Sequence, residues 1–189
     1  MATCKELVVE RGKKIYIFDD VFELEWRERA YIFFKNSMFR IGAGDQSDIH
    51  FSEHQYLHSN YSSEDVERLG LLNQIKDEKL LSLISNKKMK PKFGAVVNLS
   101  MPSETYFVHS HSNTTVLYYA NVRWREDWAG ETLFFTEDMS EIVYATPYKP
   151  GRIIVFDGSI PHTIRPQTRY APQYRFTFAL WLNEGEPLE

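Results

Sequence analysis

Cysteine is almost absent: Cys4 is the only one among 189 residues. No internal disulfide is available, which fits a reducing, cytoplasmic setting. No apolar run approaches the roughly 20 residues that a membrane helix needs. The opening MATCKELVVERGKK lacks the apolar stretch of a signal peptide. Positive charge is in deficit, with 22 Lys and Arg against 26 Asp and Glu and a net charge of −4. A nucleic-acid binder needs the opposite balance, so no nucleic-acid or membrane partner is expected. Internal repeats, low-complexity runs and any signal of oligomeric state are also missing. Aromatic residues are in excess, with 13 Phe, 11 Tyr and 4 Trp making 15% of the chain. That mass suits a β-rich core, and the length fits one domain over 1–189.

The pattern changes near residue 90. Before it, the alternating Lys14-Ile15-Tyr16-Ile17-Phe18 reads as a strand closed by Asp19-Asp20. Helical spacing of Leu24, Ala30, Tyr31 and Phe34 predicts a helix over Glu23 to Lys35. Residues 41–63 are polar and rich in Gly, Ser and Asp, and read as a surface loop. Val66, Leu69, Leu72, Ile75, Leu80, Leu83 and Ile84 predict one or two helices from Ser63 to Ser85, begun by Ser63-Glu64-Asp65. After Pro91 come seven short β-branched or aromatic runs: Phe93–Leu99, Thr105–His111, Thr114–Asn121, Glu131–Phe135, Glu141–Thr146, Arg152–Phe156 and Arg175–Leu182. Turn signals such as Pro150-Gly151 and Asp157-Gly158 separate them. The expectation is a mainly β fold with some α: a double-stranded β core over 91–189, supported by a helical N-terminal segment over 1–90.

Six histidines are the chemically informative residues. His50, His54 and His58 lie four apart in a polar, aromatic stretch without a matching Cys or carboxylate, and read as surface or packing residues. His109 and His111 stand two apart after Tyr106-Phe107-Val108, where strand alternation aims both to one face. His162 follows the strand Arg152–Phe156 through a tight turn. Two ligands from one strand and a third from a distant one would hold a mononuclear metal at a barrel mouth. Facial coordination leaves positions for substrate and dioxygen, and neutral imidazole suits iron. Neither a Ser-His-Asp nor a Cys-His nucleophile scheme finds support. Ile41-Gly42-Ala43-Gly44 lacks the helix and Lys of a phosphate loop.

The segments TTVLYYANVRWREDWAGETLFF, YKPGRIIVFDGSIPHTIRP and YRFTFALWL follow in order over Thr114 to Leu182. This half of the chain resembles the iron(II)- and 2-oxoglutarate-dependent dioxygenases of the prolyl-hydroxylase-like group. That group carries a Tyr-Tyr-x-Asn-x-x-Trp stretch, a Gly-Gly-x-Leu-x-x-Phe strand, a Pro-Gly-Arg-x-x-x-Phe strand, a Pro-His and a last Arg-x-x-x-x-x-Trp strand. The resemblance implies a double-stranded β-helix of jelly-roll or cupin type, with iron(II), 2-oxoglutarate and dioxygen as cofactors. It also implies His109 and His162 as metal ligands and Arg175 as the cation for the distal carboxylate of 2-oxoglutarate. A guanidinium fork suits that task because it grips a carboxylate bidentately and stays charged when dry. Tyr119 would give its hydroxyl to the same cosubstrate, while Tyr118 faces away. Tyr174 and Trp181 read as core flanks of the last strand. The implied reaction is oxidative decarboxylation to succinate and carbon dioxide, coupled to hydroxylation of an amino-acid or peptidyl substrate, with prolyl the suggested case.

The departure from the group is at the second ligand, where its motif is His-x-Asp and this chain has His109-Ser110-His111. Three arrangements are open: His111 in the carboxylate's place, a two-histidine site with water or an anion, or a shifted motif with His111 first and Asn113 in the carboxylate position. Glu104 is a further, remote carboxylate candidate. Asp157 could orient His162 or simply make a turn, and Trp124 and Trp128 could line an entrance or cover a sheet edge. Two other readings of function stand beside the oxygenase. One is a three-histidine iron dioxygenase that does without 2-oxoglutarate; the other is a non-enzymatic barrel binding a metal or small ligand.

Overall fold

Most of the short apolar runs become strands, and their alternation sorts side chains into two separate cores. The computed structural model describes residues 2–42, 56–89, 94–104, 106–171 and 174–184. The N-terminal part holds β1 (Thr3–Val8), β2 (Lys14–Asp19), α1 (Leu24–Lys35), β3 (Arg40–Gly42) and β4 (Tyr56–Tyr61). Then come α2 (Ser63–Leu69), α3 (Glu78–Ile84) and β5 (Lys87–Met89). The C-terminal part holds β6 (Ala95–Ser100), β7 (Thr114–Tyr119), β8 (Thr132–Phe135), β9 (Ile142–Thr146), β10 (Ile153–Asp157), β11 (His162–Ile164) and β12 (Arg175–Glu184). No described helix is long and apolar enough to cross a membrane.

The larger sheet is antiparallel in the order β1-β2-β10-β7-β12-β6-β4-β3, with β5 added against β12. The smaller one is β11-β8-β9. On one face of the larger sheet, Phe176, Phe178, Leu180 and Leu182 of β12 pack with Tyr118 against Trp26, Ala30 and Phe34 of α1. Phe34 stacks on Phe178 at 5.0 Å between ring centroids. The alternate residues turn inward: Ile15, Ile17, Val96, Leu117, Tyr119, Ile154, Phe156 and Ala179 meet Phe134 of the smaller sheet. This is the double-stranded β-helix with supporting helices, and the inner face carries the site. Asp19 and Arg152 lock β2 to β10 through two bonds of 2.7 and 2.8 Å.

Several boundaries differ from expectation. The stretch 41–63 is not simply a loop: β3 and β4 pair antiparallel and extend the larger sheet from β6. Polar content misled there because one side of an outer strand can face solvent. Residues 43–55, and with them His50 and His54, lie outside the described residues. The helical segment from Ser63 splits into α2 and α3, joined by a 3-10 turn at Leu72–Gln74. Ser62, one residue earlier than expected, caps α2 in a capping box with Asp65, and Gly70 closes it in the left-handed region. The expected strand Thr105–His111 is reduced to one bridge, His109 to His162.

Candidate active site

The turn Asp157-Gly158-Ser159-Ile160-Pro161 brings three histidines together. His109 and His162 exchange backbone bonds of 3.0 and 2.9 Å, and the His111 amide donates to the Gly158 carbonyl at 2.6 Å. Gly158 is required there by space, since a Cβ would lie 2.3 Å from the Asn113 carbonyl oxygen and 2.9 Å from the His111 Cβ. The outcome is a cluster in which one nitrogen from each of His109, His111 and His162 lies within 4.8 Å of the others. Ring centroids are 4.5 Å apart for His109 and His162, 5.0 Å for His109 and His111, and 5.2 Å for His111 and His162.

Backbone carbonyls set the tautomers. The Nδ1–H of His162 donates to the Ile160 carbonyl at 2.8 Å, and that of His109 to the Phe107 carbonyl at 3.1 Å. Each Nε2 is then left as a lone-pair donor, the arrangement a metal ligand needs. Burial, reinforced by the neighbouring His109 and His111, holds His162 well below the ordinary imidazole range, so it is neutral and ready to ligate.

Deeper in the barrel, Arg175 is fully buried at the first position of β12. Its Nε donates to the Gly130 carbonyl at 2.9 Å, and its guanidinium lies 4.8 Å from the Tyr148 ring and 5.4 Å from the Tyr119 ring. Its Nη2 is buried with no hydrogen-bond partner, and no described carboxylate pairs with it. A buried cation left this way is costly, and the cost is removed by an anionic ligand that supplies the missing acceptors. Gly130 permits the approach: it has φ of 86°, and a Cβ there would sit 3.2 Å from the Arg175 Cδ. Tyr119, also fully buried, shares a 2.6 Å hydrogen bond with the Thr132 hydroxyl; burial raises its phenol above the ordinary range and keeps it a neutral donor. Beside it, the Thr146 hydroxyl is buried and unpartnered.

His109, His111 and His162 thus come together, and Arg175 and Tyr119 line the same interior face, with Tyr118 on the opposite one as expected. Other candidates take structural roles. Glu104 accepts from the Met101 amide at 2.8 Å and from the Tyr106 hydroxyl, and is outside the histidine cluster. Asp157 caps its own turn, accepting from the Ser159 amide and hydroxyl. The Asn113 backbone carbonyl accepts from the Gly158 amide at 2.9 Å, while its side-chain Oδ1 is buried with no hydrogen-bond partner. His58, on β4, pairs in register with Asn98 of β6 and is outside the cluster. Tyr174 is not a core flank; it is half exposed. Trp124 packs 4.6 Å from Tyr148, and its indole N–H donates to the Ala129 carbonyl at 2.9 Å. Sequence reasoning missed Tyr148, Thr132 and Thr146. Only the aromatic at the head of Tyr148-Lys149-Pro150-Gly151 hinted at the first.

The structure thus combines a double-stranded β-helix, three clustered histidines and a buried arginine whose Nη2 has no hydrogen-bond partner. Residues 105–183 match the family model described as the 2OG-Fe(II) oxygenase superfamily. Over this span the β core is similar to the 2-oxoglutarate- and iron(II)-dependent oxygenases. Solved structures with a similar fold include prolyl hydroxylases. One is from Trichoplax adhaerens, in complex with a hypoxia inducible factor oxygen degradation domain peptide fragment (15% identity, 90% of this chain and 83% of that one, TM-score 0.63). A second is the prolyl-4-hydroxylase of Pseudomonas putida (15% identity, 89% and 92%, TM-score 0.58). A third is a viral collagen prolyl hydroxylase from Paramecium bursaria chlorella virus 1, in a 2-oxoglutarate complex (12% identity, 89% and 94%, TM-score 0.50). A comparison with curated protein sequences gives no match.

Proposed function

We propose that this protein is an oxygenase that hydroxylates a C–H bond of a peptidyl or amino-acid substrate, with a prolyl residue the first to test. In this reading His109, His111 and His162 hold iron(II), and Arg175 and Tyr119 hold the distal carboxylate of 2-oxoglutarate. The observation that carries it is the buried Arg175 Nη2, unpartnered on the barrel's inner face. The donor set fits: three imidazoles, two with Nδ1 engaged by backbone carbonyls, suit a divalent first-row metal. The bound metal and cosubstrate supply the oxidising chemistry. The residues of the chain orient the two ends of 2-oxoglutarate, with the histidines at one end and Arg175 and Tyr119, both buried, at the other.

His111 in the carboxylate's place gives a ligand set without negative charge, which favours a tighter hold on anionic ligands and a weaker hold on the metal. The same observation favours a second reading, a three-histidine dioxygenase that chelates its own substrate without 2-oxoglutarate. Residues 1–90 belong to the same functional unit as support for the barrel. The single cysteine and the net charge of −4 favour a cytoplasmic setting with peptide or small-molecule substrates and no nucleic acid. The test is aerobic turnover with iron(II), 2-oxoglutarate and proline-containing peptides. Succinate formed in step with a peptide mass gain of one oxygen atom supports the oxygenase. Oxygen consumption with a metal-chelating substrate and no dependence on 2-oxoglutarate supports the second reading, and iron binding without turnover of either kind leaves a binding barrel.

A further inference from the structure

The backbone that carries Arg175 is held by one side chain from 54 residues earlier in the sequence. Asn121 lies two residues beyond the end of β7 and is buried. Its Oδ1 accepts from the Phe176 amide at 2.8 Å, and its Nδ2 donates to the Tyr174 carbonyl at 2.9 Å. Those two groups belong to the peptide units on either side of the Arg175 Cα, so one carboxamide fixes both dihedrals of the residue between them. The Tyr148 hydroxyl completes the junction. It accepts from the Asn121 amide at 3.1 Å, and its single proton is shared between the Asn121 Oδ1 at 2.7 Å and the Phe176 carbonyl at 2.6 Å. The Tyr148 ring stacks on Tyr119 at 4.3 Å and 13°, and is the plate over which the guanidinium lies at 4.8 Å.

We infer that Asn121 is a positioning residue for cosubstrate binding, acting through the backbone of Arg175 and through Tyr148 to aim the guanidinium at the distal carboxylate of 2-oxoglutarate. The inference rests on the oxygenase reading of Arg175. The role needs a donor and an acceptor on one short, planar side chain. An aspartate keeps the shape and the acceptor but opposes the Tyr174 carbonyl; an alanine removes both contacts.

The test is an anaerobic titration of Asn121→Asp, Asn121→Ala and Tyr148→Phe, with the iron(II) and 2-oxoglutarate dissociation constants measured separately. Tyr148→Phe keeps the ring stack and deletes only the hydroxyl, so it stays informative if the Asn121 variants fail to fold. Expected are an iron(II) constant within about twofold of wild type and a 2-oxoglutarate constant weakened about tenfold or more by the Asn121 changes, less by Tyr148→Phe. In turnover, the KM for 2-oxoglutarate rises more than kcat falls. Unchanged 2-oxoglutarate affinity in a folded variant overturns the inference. So does a parallel loss of both ligands with the melting temperature, which marks a purely structural role. Absence of 2-oxoglutarate binding by the wild type removes the reading of Arg175 and this inference with it, whereas wild-type binding with unaltered variants removes this inference alone.

Discussion

His111 is the residue on which the chemistry of the site turns. It stands where the resembling group has a carboxylate, and the structure brings its imidazole to the other two rings. An aspartate there would add a negative charge beside a divalent ion, so His111→Asp is expected to tighten iron(II) binding about tenfold or more. The 2-oxoglutarate affinity should fall or stay level, because the added charge repels the cosubstrate. Equilibrium competition with a coloured iron chelator reads this directly; unchanged iron binding in His111→Asp would mean that His111 takes no part in holding the metal. The His109–His111 pair and His162 were legible because ligand chemistry restricts residue type. Tyr148 and Thr146 were not, since their roles come from an aromatic stack and an unpartnered hydroxyl that only the fold brings beside Tyr119.

The site depends on how β10, β11 and the segment at His109 to His111 approach one another. Gly158 sits at their closest point, so Gly158→Ala must push the His111 backbone and the Asn113 carbonyl outward. The expected result is at least a tenfold loss of metal affinity with a destabilisation of about 1–3 kcal/mol, the range for overpacking. Metal titration and thermal melting check the two parts. At one end of β2 and β10, Asp19 joins the two strands through Arg152. Burial pushes its carboxyl up, but the bonds to Arg152 and then Lys149 outweigh this and hold it below its ordinary value. Its stabilisation is thus complete above the ordinary carboxylate pKa of 3.8 and is lost as pH falls through the lower folded value. Asp19→Asn should cost about 1.5–3 kcal/mol at neutral pH. Its melting-temperature gap to wild type should close below pH 3.8; a gap that persists there would assign the effect to packing. Strands β6 to β10 and β12 were readable from alternation and turn residues, whereas the short β11 was not, and β3 and β4 were hidden because polar and small residues dominate an outer pair.

At the scale of the molecule, the larger sheet separates two jobs. One face packs on α1 around Phe34 and Phe178, and the other carries Tyr119, over whose ring the Arg175 guanidinium lies. Phe34→Ala should therefore cost about 3–5 kcal/mol, lowering the melting temperature by an amount on the order of 10 °C. The 2-oxoglutarate affinity of the remaining folded protein should not change; a coupled loss would show that support and site are not separate. The overall architecture was legible in the sequence because the order of motifs from Thr114 to Leu182 repeats a known chemical layout. The mode of support by residues 1–90 was not, since helix packing leaves only a coarse apolar stripe. The central claim is that iron(II) and 2-oxoglutarate share one site, joined through Arg175. An anaerobic titration of the wild-type protein and Arg175→Ala, adding iron(II) and then 2-oxoglutarate, tests it most directly. The account predicts a visible charge-transfer band in wild type that needs both additions, and its loss in Arg175→Ala with iron(II) still bound. A band that survives in Arg175→Ala, or iron-loaded wild-type protein that gives none with 2-oxoglutarate, would contradict it.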